Sequence, residues 1–311
     1  VCYSAQIEAD YKKFVREFGA VVDIETFAQL WIRDNNKTRR RPKTPRALDL
    51  SFLRPGDPSI AAIGAEIRDW DAEEIAQLDV EQAKQTERLA VAEQKLAAKP
   101  TKTAANEQRI AGNKIEQITR KIADLKRANL EARDSRMFPG YYCPVLVSEG
   151  GKLVVKPMRY QCRPAGKPAF YDEKYPGTYN ARRDNLEGFW KGQFGRTHGL
   201  IVADRFYEHV EVDGENRILE FVPRTGERML IACLWSHWTD PRGVEPDLLS
   251  FAAVTDDPEP EVAAAGHDRT IINIKPEHVA AWLDPDPGNL QALYDIFDDK
   301  RHPFYEHRIA A

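Results

Sequence analysis

Long apolar runs are missing from this 311-residue chain. None approaches the roughly 18–20 residues a membrane-spanning helix needs, which excludes a transmembrane helical protein. Cysteines are few: Cys2, Cys143, Cys162 and Cys233 stand far apart, with no Cys-x-x-Cys pair. That spacing gives no disulfide framework and favours a reducing, cytoplasmic setting. The seven histidines show no metal-ligand spacing, so neither a metal nor another cofactor is expected. A Gly-rich phosphate loop and an internal repeat are also missing. No charged-then-apolar leader opens the sequence, so a secretory signal is not expected. An excess of one charge is absent too: 45 Lys and Arg against 49 Asp and Glu leave a formal charge of −4. Global charge therefore neither favours nor excludes nucleic acid. What is present is 42% hydrophobic residues, enough to build a sizeable core and to exclude wholesale disorder.

Texture changes along the chain. Residues 5–33 are amphipathic, with Tyr11, Phe14, Val15 and Phe18 on one face, and are expected to pack as helix. Residues 37–46, KTRRRPKTPR, carry six basic side chains, no acid and two prolines, which suits a solvated loop or a nucleic-acid-contacting arm. Residues 66–135 hold one proline and one glycine and are rich in helix formers. Ile115, Ile118, Ile122 and Leu125 recur at coiled-coil spacing. Ala97–Thr103, with Pro100, suits a turn between antiparallel helices. A helical hairpin is expected there, as a packing or partner-binding element. After Met137, short β-branched and aromatic runs alternate with Gly and Pro: Pro144–Val147, Lys152–Val155, Gly199–Ala203, Arg217–Val222, Met229–Trp235, Leu248–Val254 and Thr270–Ile274. PEHVAAWL (276–283) and NLQALYDIF (289–297) suit short helices. The fold class is therefore α+β, a mixed and largely antiparallel β core with short flanking helices and an inserted helical hairpin. The organisation reads as 1–65, an N-terminal segment; 66–135, the hairpin; and 136–311, the main body.

Three segments hold residues able to do chemistry. Val1 is odd as a first residue and suits a GTG start codon, which would be translated as Met; the small Cys2 side chain would then favour removal of that initiator. An N-terminal cysteine carries an amine and a thiol with reference pKa values of about 8 and 8.5, both reactive near neutrality. An aldehyde can form an imine with the amine, and the thiol can then close a thiazolidine on the same carbon. In the second segment, Asn180 precedes Arg182 and Arg183, and a strand-like run ends in Asp204-Arg205-Phe206-Tyr207-Glu208. A carboxylate at a strand end among aromatics is a candidate general acid or base. Residues 156–196 hold nine Lys and Arg against four Asp and Glu, 9 − 4 = +5, with Tyr160, Tyr179, Phe189 and Trp190 among them. Basic side chains interleaved with aromatics suit single-stranded nucleic acid. In the third segment, His267-Asp268-Arg269 leads into a strand-like run and could shuttle protons.

Taken in order, Cys2, Asn180-Ala181-Arg182, Ala203 to Glu208 (A-D-x-F-Y-E) and His267-Asp268-Arg269 resemble the SOS response-associated peptidase family, SRAP. MLIACLWSHW (229–238) and PEHVAAWLD resemble further family segments. The resemblance spans residues 1–5 and roughly 136–311 and leaves the hairpin outside. It implies a protein that binds single-stranded DNA and attaches to abasic sites, with the ring-opened sugar aldehyde captured by Cys2 as a thiazolidine. Asn180 would orient the linkage, Glu208 would handle protons and help remove the initiator, and His267 would serve the sugar oxygen. Arg182 would hold a phosphate, with Arg183, Arg159 and Arg269 as further DNA contacts. The outcome would be shielding of the lesion during the response to DNA damage, at the bacterial nucleoid. The alternatives are a thiol peptidase acting on other proteins, and a non-catalytic protein using the hairpin for a partner. The family usually begins Cys-Gly-Arg where this chain has Cys2-Tyr3-Ser4, and often has Trp where this chain has His209.

Overall fold

In chain order the elements are β1 (Ser4–Ile7), α1 (Tyr11–Phe18), β2 (Val21–Val22), α2 (Ile24–Trp31), α3 (Arg46–Leu53), α4 (Ala61–Ala98), α5 (Lys102–Lys126) and β3 (Arg136–Met137). Then come β4 (Tyr142–Glu149), β5 (Lys152–Tyr160), α6 (Tyr171–Lys174), β6 (Asn180–Arg182), β7 (His198–Val212), β8 (Glu215–Pro223) and β9 (Met229–Trp238). The chain finishes with β10 (Leu248–Asp256), α7 (Pro260–Ala264), β11 (Thr270–Ile271), α8 (Val279–Leu283), α9 (Leu290–Asp298) and β12 (Tyr305–Ile309). This computed structural model describes residues 3–33, 39–54, 58–212 and 214–310. Cys2 lies outside the described residues, as do Lys37 and Thr38 of the basic stretch. No helix among the described residues is long and apolar enough to cross a membrane.

Two units divide the chain. One comprises Val1–Leu30, Pro42–Ser51 and Glu131–Ala311 and holds every strand among the described residues. The expected α+β class holds. Pairing is antiparallel except for β10 with β5 and β6, and β2 with β5. Strands β5, β4, β7, β9 and β10 pair in a closed circuit, β10 returning to β5. Closure puts both faces of the first half of β7 out of water, and His198 to Ala203 are all buried. Gly199 permits the close approach: a Cβ there would lie 2.8 Å from Val145 Cγ1 and 3.1 Å from Cys233 Sγ. Above this point the indole of Trp282 on α8 donates to Gly199 O at 2.9 Å, and its ring packs 3.9 Å from the His198 ring.

β7 corrects one expectation. The strand does not end at Ala203 but continues to Val212, so Glu208 lies inside a strand rather than at its end. The second half leaves β9 and pairs with β8 from Phe206 to Val212 and with β1 from Ala203 to Tyr207. Phe206, Glu208 and Val210 share one face by the two-residue period, and all three are buried. The N-terminal expectation also changes: residues 5–33 do not form one helix. Ser4–Ile7 is strand. The Asp10 side chain accepts from Lys12 N at 3.0 Å and caps α1, and left-handed Gly19 ends it. Tyr11 and Phe14 are buried as the periodicity implies, whereas Val15 is exposed.

The other unit, Trp31–Arg41 with Phe52–Leu130, contains the expected hairpin. α4 has 38 residues, about 57 Å at 1.5 Å per residue. Thr101 caps α5 by accepting from Ala104 N, which makes the turn after Pro100. Apolar and small residues at coiled-coil spacing form the seam, with Ala92, Ala104, Ala111 and Ile118 buried. Gln82 Nε2 donates to Thr119 Oγ1 at 2.7 Å, and Arg88 pairs with Glu107 at 2.6 Å, which pins the antiparallel register. At the base, the Arg33 guanidinium lies 4.0 Å over the Trp70 ring and pairs with Glu73 at 2.7 Å.

Candidate active site

Glu208 is the most unusual residue of the β core. It is 1% exposed on the face it shares with Phe206 and Val210. Burial pushes its carboxyl well above the ordinary glutamate value; the nearby Tyr3 backbone N–H and Arg269 oppose this without cancelling it. Tyr3 also donates its N–H to Tyr207 O at 3.2 Å, and its ring meets His209 at 4.4 Å.

His267 reaches Glu208 from the far side of a turn. Helix α7 ends at Ala264, and two residues on stands Gly266, whose φ of +92° is left-handed and suits glycine. Gly266 N donates to Ala263 O at 2.9 Å and His267 N to Val262 O at 3.2 Å. The imidazole then lies with Nε2 3.4 Å from Glu208 Oε2 and Nδ1 2.9 Å from Arg269 O. A carbonyl oxygen only accepts, so the proton sits on Nδ1 and Nε2 faces the carboxyl with its lone pair. Arg269 N also approaches Nδ1, at 3.4 Å, but the shorter contact governs. Burial lowers the histidine below its ordinary value. Burial thus disfavours the charged form of both groups where they face each other.

Asn180 opens β6, beside β10, where it stands opposite Ala253. It is 8% exposed, and neither its amide nitrogen nor its amide oxygen has a hydrogen-bond partner among the described residues. Leaving such a group unpaired costs about 1–3 kcal/mol. Asn180 lines a cavity of about 650 Å³ together with Thr178, Tyr179, Phe189, Arg182 and Arg269. Thr178 Oγ1 is likewise buried without a partner among the described residues. Nothing in the sequence marked Thr178.

The approach to β6 is anchored. Asp172 on α6 accepts from Arg159 and, at 2.7 Å, from Arg163 Nε. Gln161 takes a φ of +113°, held by its Nε2 on Asp172 O at 2.9 Å and by Arg159 on its own carbonyl at 3.1 Å. Arg159 is therefore committed to this anchor. Arg183 is committed to Asp256 at 3.1 Å and to Asp298 at 2.5 Å. Arg182 and Arg269 differ: both line the cavity, paired with the carboxylates of Asp184 at 3.0 Å and Asp268 at 3.2 Å. The turn from His267 to Arg269 so touches Glu208 at one end and the Asn180 cavity at the other. Among the described residues no group of three or more His, Cys, Asp and Glu could hold a metal ion.

A mixed β core that holds a buried carboxyl–imidazole pair beside a polar cavity defines a class of acid–base site. Residues 97–308 match the SOS response associated peptidase (SRAP) family, and the chain belongs to that family. The match takes in α5, which the motifs alone leave outside, and does not extend to residues 1–5. No curated protein matches the chain. Several solved structures are similar, among them the following three. A Bordetella bronchiseptica protein is 18% identical, covering 60% of this chain and 90% of its own, with a TM-score of 0.48. A Bacteroides thetaiotaomicron protein is 11% identical, covering 57% and 77%, at 0.46. A phage-related protein of Bordetella bronchiseptica is 20% identical, covering 56% and 80%, at 0.43.

Proposed function

We propose that this protein captures abasic sites in single-stranded DNA by covalent attachment to Cys2. The observation that carries the reading is the Glu208–His267 pair at 3.4 Å, linked through Arg269 to the cavity of Asn180. Tyr3, one peptide bond from Cys2, has its backbone N–H beside Glu208. Hydrolysis of the bond before Cys2 consumes one water and frees the amine. That amine attacks the sugar aldehyde, a water leaves, and the thiol adds to the imine carbon to close the ring. The net change is aldehyde plus aminothiol giving thiazolidine plus one water. Protonated Glu208 supplies a proton to the departing oxygen, and His267 Nε2 accepts and returns one as the sugar ring opens. Asn180 gains partners for its buried amide when the sugar enters. Arg182 and Arg269 neutralise phosphates at the cavity wall, and Phe189 and Tyr179 offer aromatic surface for bases. The attached protein shields the lesion from strand cleavage during the response to DNA damage.

Incubation with single-stranded DNA carrying one abasic site, followed by a denaturing gel, tests this. Wild type should give a slower band that Cys2→Ala abolishes and Asn180→Ala weakens at least tenfold. A band equally strong in Cys2→Ala excludes thiazolidine capture. The peptidase in the family's description is accommodated as removal of residue 1; efficient cleavage of an added peptide would favour a peptidase acting in trans.

A further inference from the structure

Arg182, Asp184 and Arg269 line not one cavity but two. Across this ridge from Asn180 lies a second cavity of about 510 Å³, within the roughly 300–1,000 Å³ range of small-molecule sites. Its chemistry differs from the first. Arg183, its remaining cation, is spent on Asp256 and Asp298. Gln291 uses its amide nitrogen on Asp295 Oδ1 at 2.9 Å, which leaves its oxygen. The Tyr294 hydroxyl is taken by Glu187 at 3.0 Å. Asp257 adds an exposed carboxylate. A second, independent observation is Thr255: it is 1% exposed, lines this cavity, and its hydroxyl has no partner among the described residues.

Acceptor oxygens dominate what remains unsatisfied. Phosphate would meet like charge there and stays with the ridge arginines. A group that satisfies the cavity must be uncharged or cationic and must bring N–H donors. Next to a phosphate-holding ridge, the group in a DNA strand that does so best is a nucleobase with an exocyclic amine; thymine offers a single N3–H between two carbonyls, which would face the cavity's own acceptors. We propose that this cavity is a base-reading subsite for the nucleotide neighbouring the captured sugar, and that it prefers cytosine, adenine or guanine to thymine. The inference rests on the single-stranded DNA reading given above.

Fluorescence anisotropy at neutral pH with two labelled single-stranded dodecamers tests it, one of thymine alone and one with cytosines at its centre. Wild type should bind the cytosine strand about fivefold to tenfold more tightly, roughly one hydrogen bond's worth. Gln291→Ala, on the surface, and Thr255→Val, which keeps shape and β preference, should bring the ratio close to one while leaving affinity for the thymine strand unchanged. Thr255→Val should melt at or above the wild-type temperature because it removes an unpaired buried hydroxyl, so lost preference would not reflect unfolding. Equal, measurable affinity of wild type for both strands overturns the subsite and leaves DNA capture standing. No binding to either strand overturns both.

Discussion

At Glu208 stability and chemistry oppose each other. Its folded-state pKa lies above the ordinary value through burial, so the folded protein keeps a proton that the unfolded chain loses above about pH 4.5. Its contribution is therefore most favourable below that pH and declines as pH rises toward the folded-state value. Glu208→Gln removes this decline. The variant should melt several degrees higher than wild type near pH 8, with the difference shrinking toward pH 4.5, yet form the DNA adduct at least tenfold more slowly. Thermal melts across pH beside adduct time courses check both arms; a variant less stable than wild type at pH 8 would show that the carboxyl is ionised and paired. The sequence named Glu208, Asn180 and His267 but missed their condition. Burial of Glu208 follows from its sharing a face with Phe206 and Val210, which required β7 to run past Ala203. The unpaired Asn180 amide is a fact of three-dimensional packing with no counterpart in residue order.

Elements show where periodicity sufficed and where it did not. The hairpin was legible because both arms repeat apolar and small residues at coiled-coil spacing and a capped break separates them. The strands after Met137 were legible from β-branched runs. The segment 5–33 was not, because cap residues Asp10 and Gly19 cut the pattern into pieces. Two element-scale outcomes follow. Gly199→Ala sets a methyl within 2.8 Å of Val145, so it should destabilise the protein by about 1–3 kcal/mol in urea unfolding. In the hairpin, Gln85 is buried at the seam and its oxygen has no partner among the described residues. Gln85→Leu should therefore raise hairpin stability by about 1 kcal/mol, seen as slower amide exchange along α4. Faster exchange would mean that the glutamine is satisfied and holds the register.

Across the whole molecule, acid is the expected weakness. His198 donates from Nδ1 to Trp282 O at 2.9 Å and accepts at Nε2 from Gly195 N at 2.8 Å, so both ring nitrogens are used by the neutral form. Burial lowers its pKa to about 3. The stability this gives is fully present above about pH 6.5 and is lost as pH falls toward 3, at about 1.4 kcal/mol per unit. Unfolding free energy measured in urea should drop along that window, and His198→Gln should flatten the drop. An unchanged slope would place the acid sensitivity elsewhere. DNA binding belongs to the same scale: affinity carried by Arg182 and Arg269 at phosphates should fall steadily with salt.

The most direct measurement is the mass of the protein–DNA adduct after nuclease trimming, with the attachment position mapped by peptide fragmentation. Thiazolidine capture gives one adduct per chain, at Cys2, with residue 1 absent and one water lost on joining. An adduct on a lysine, or on a chain that still carries residue 1, contradicts it.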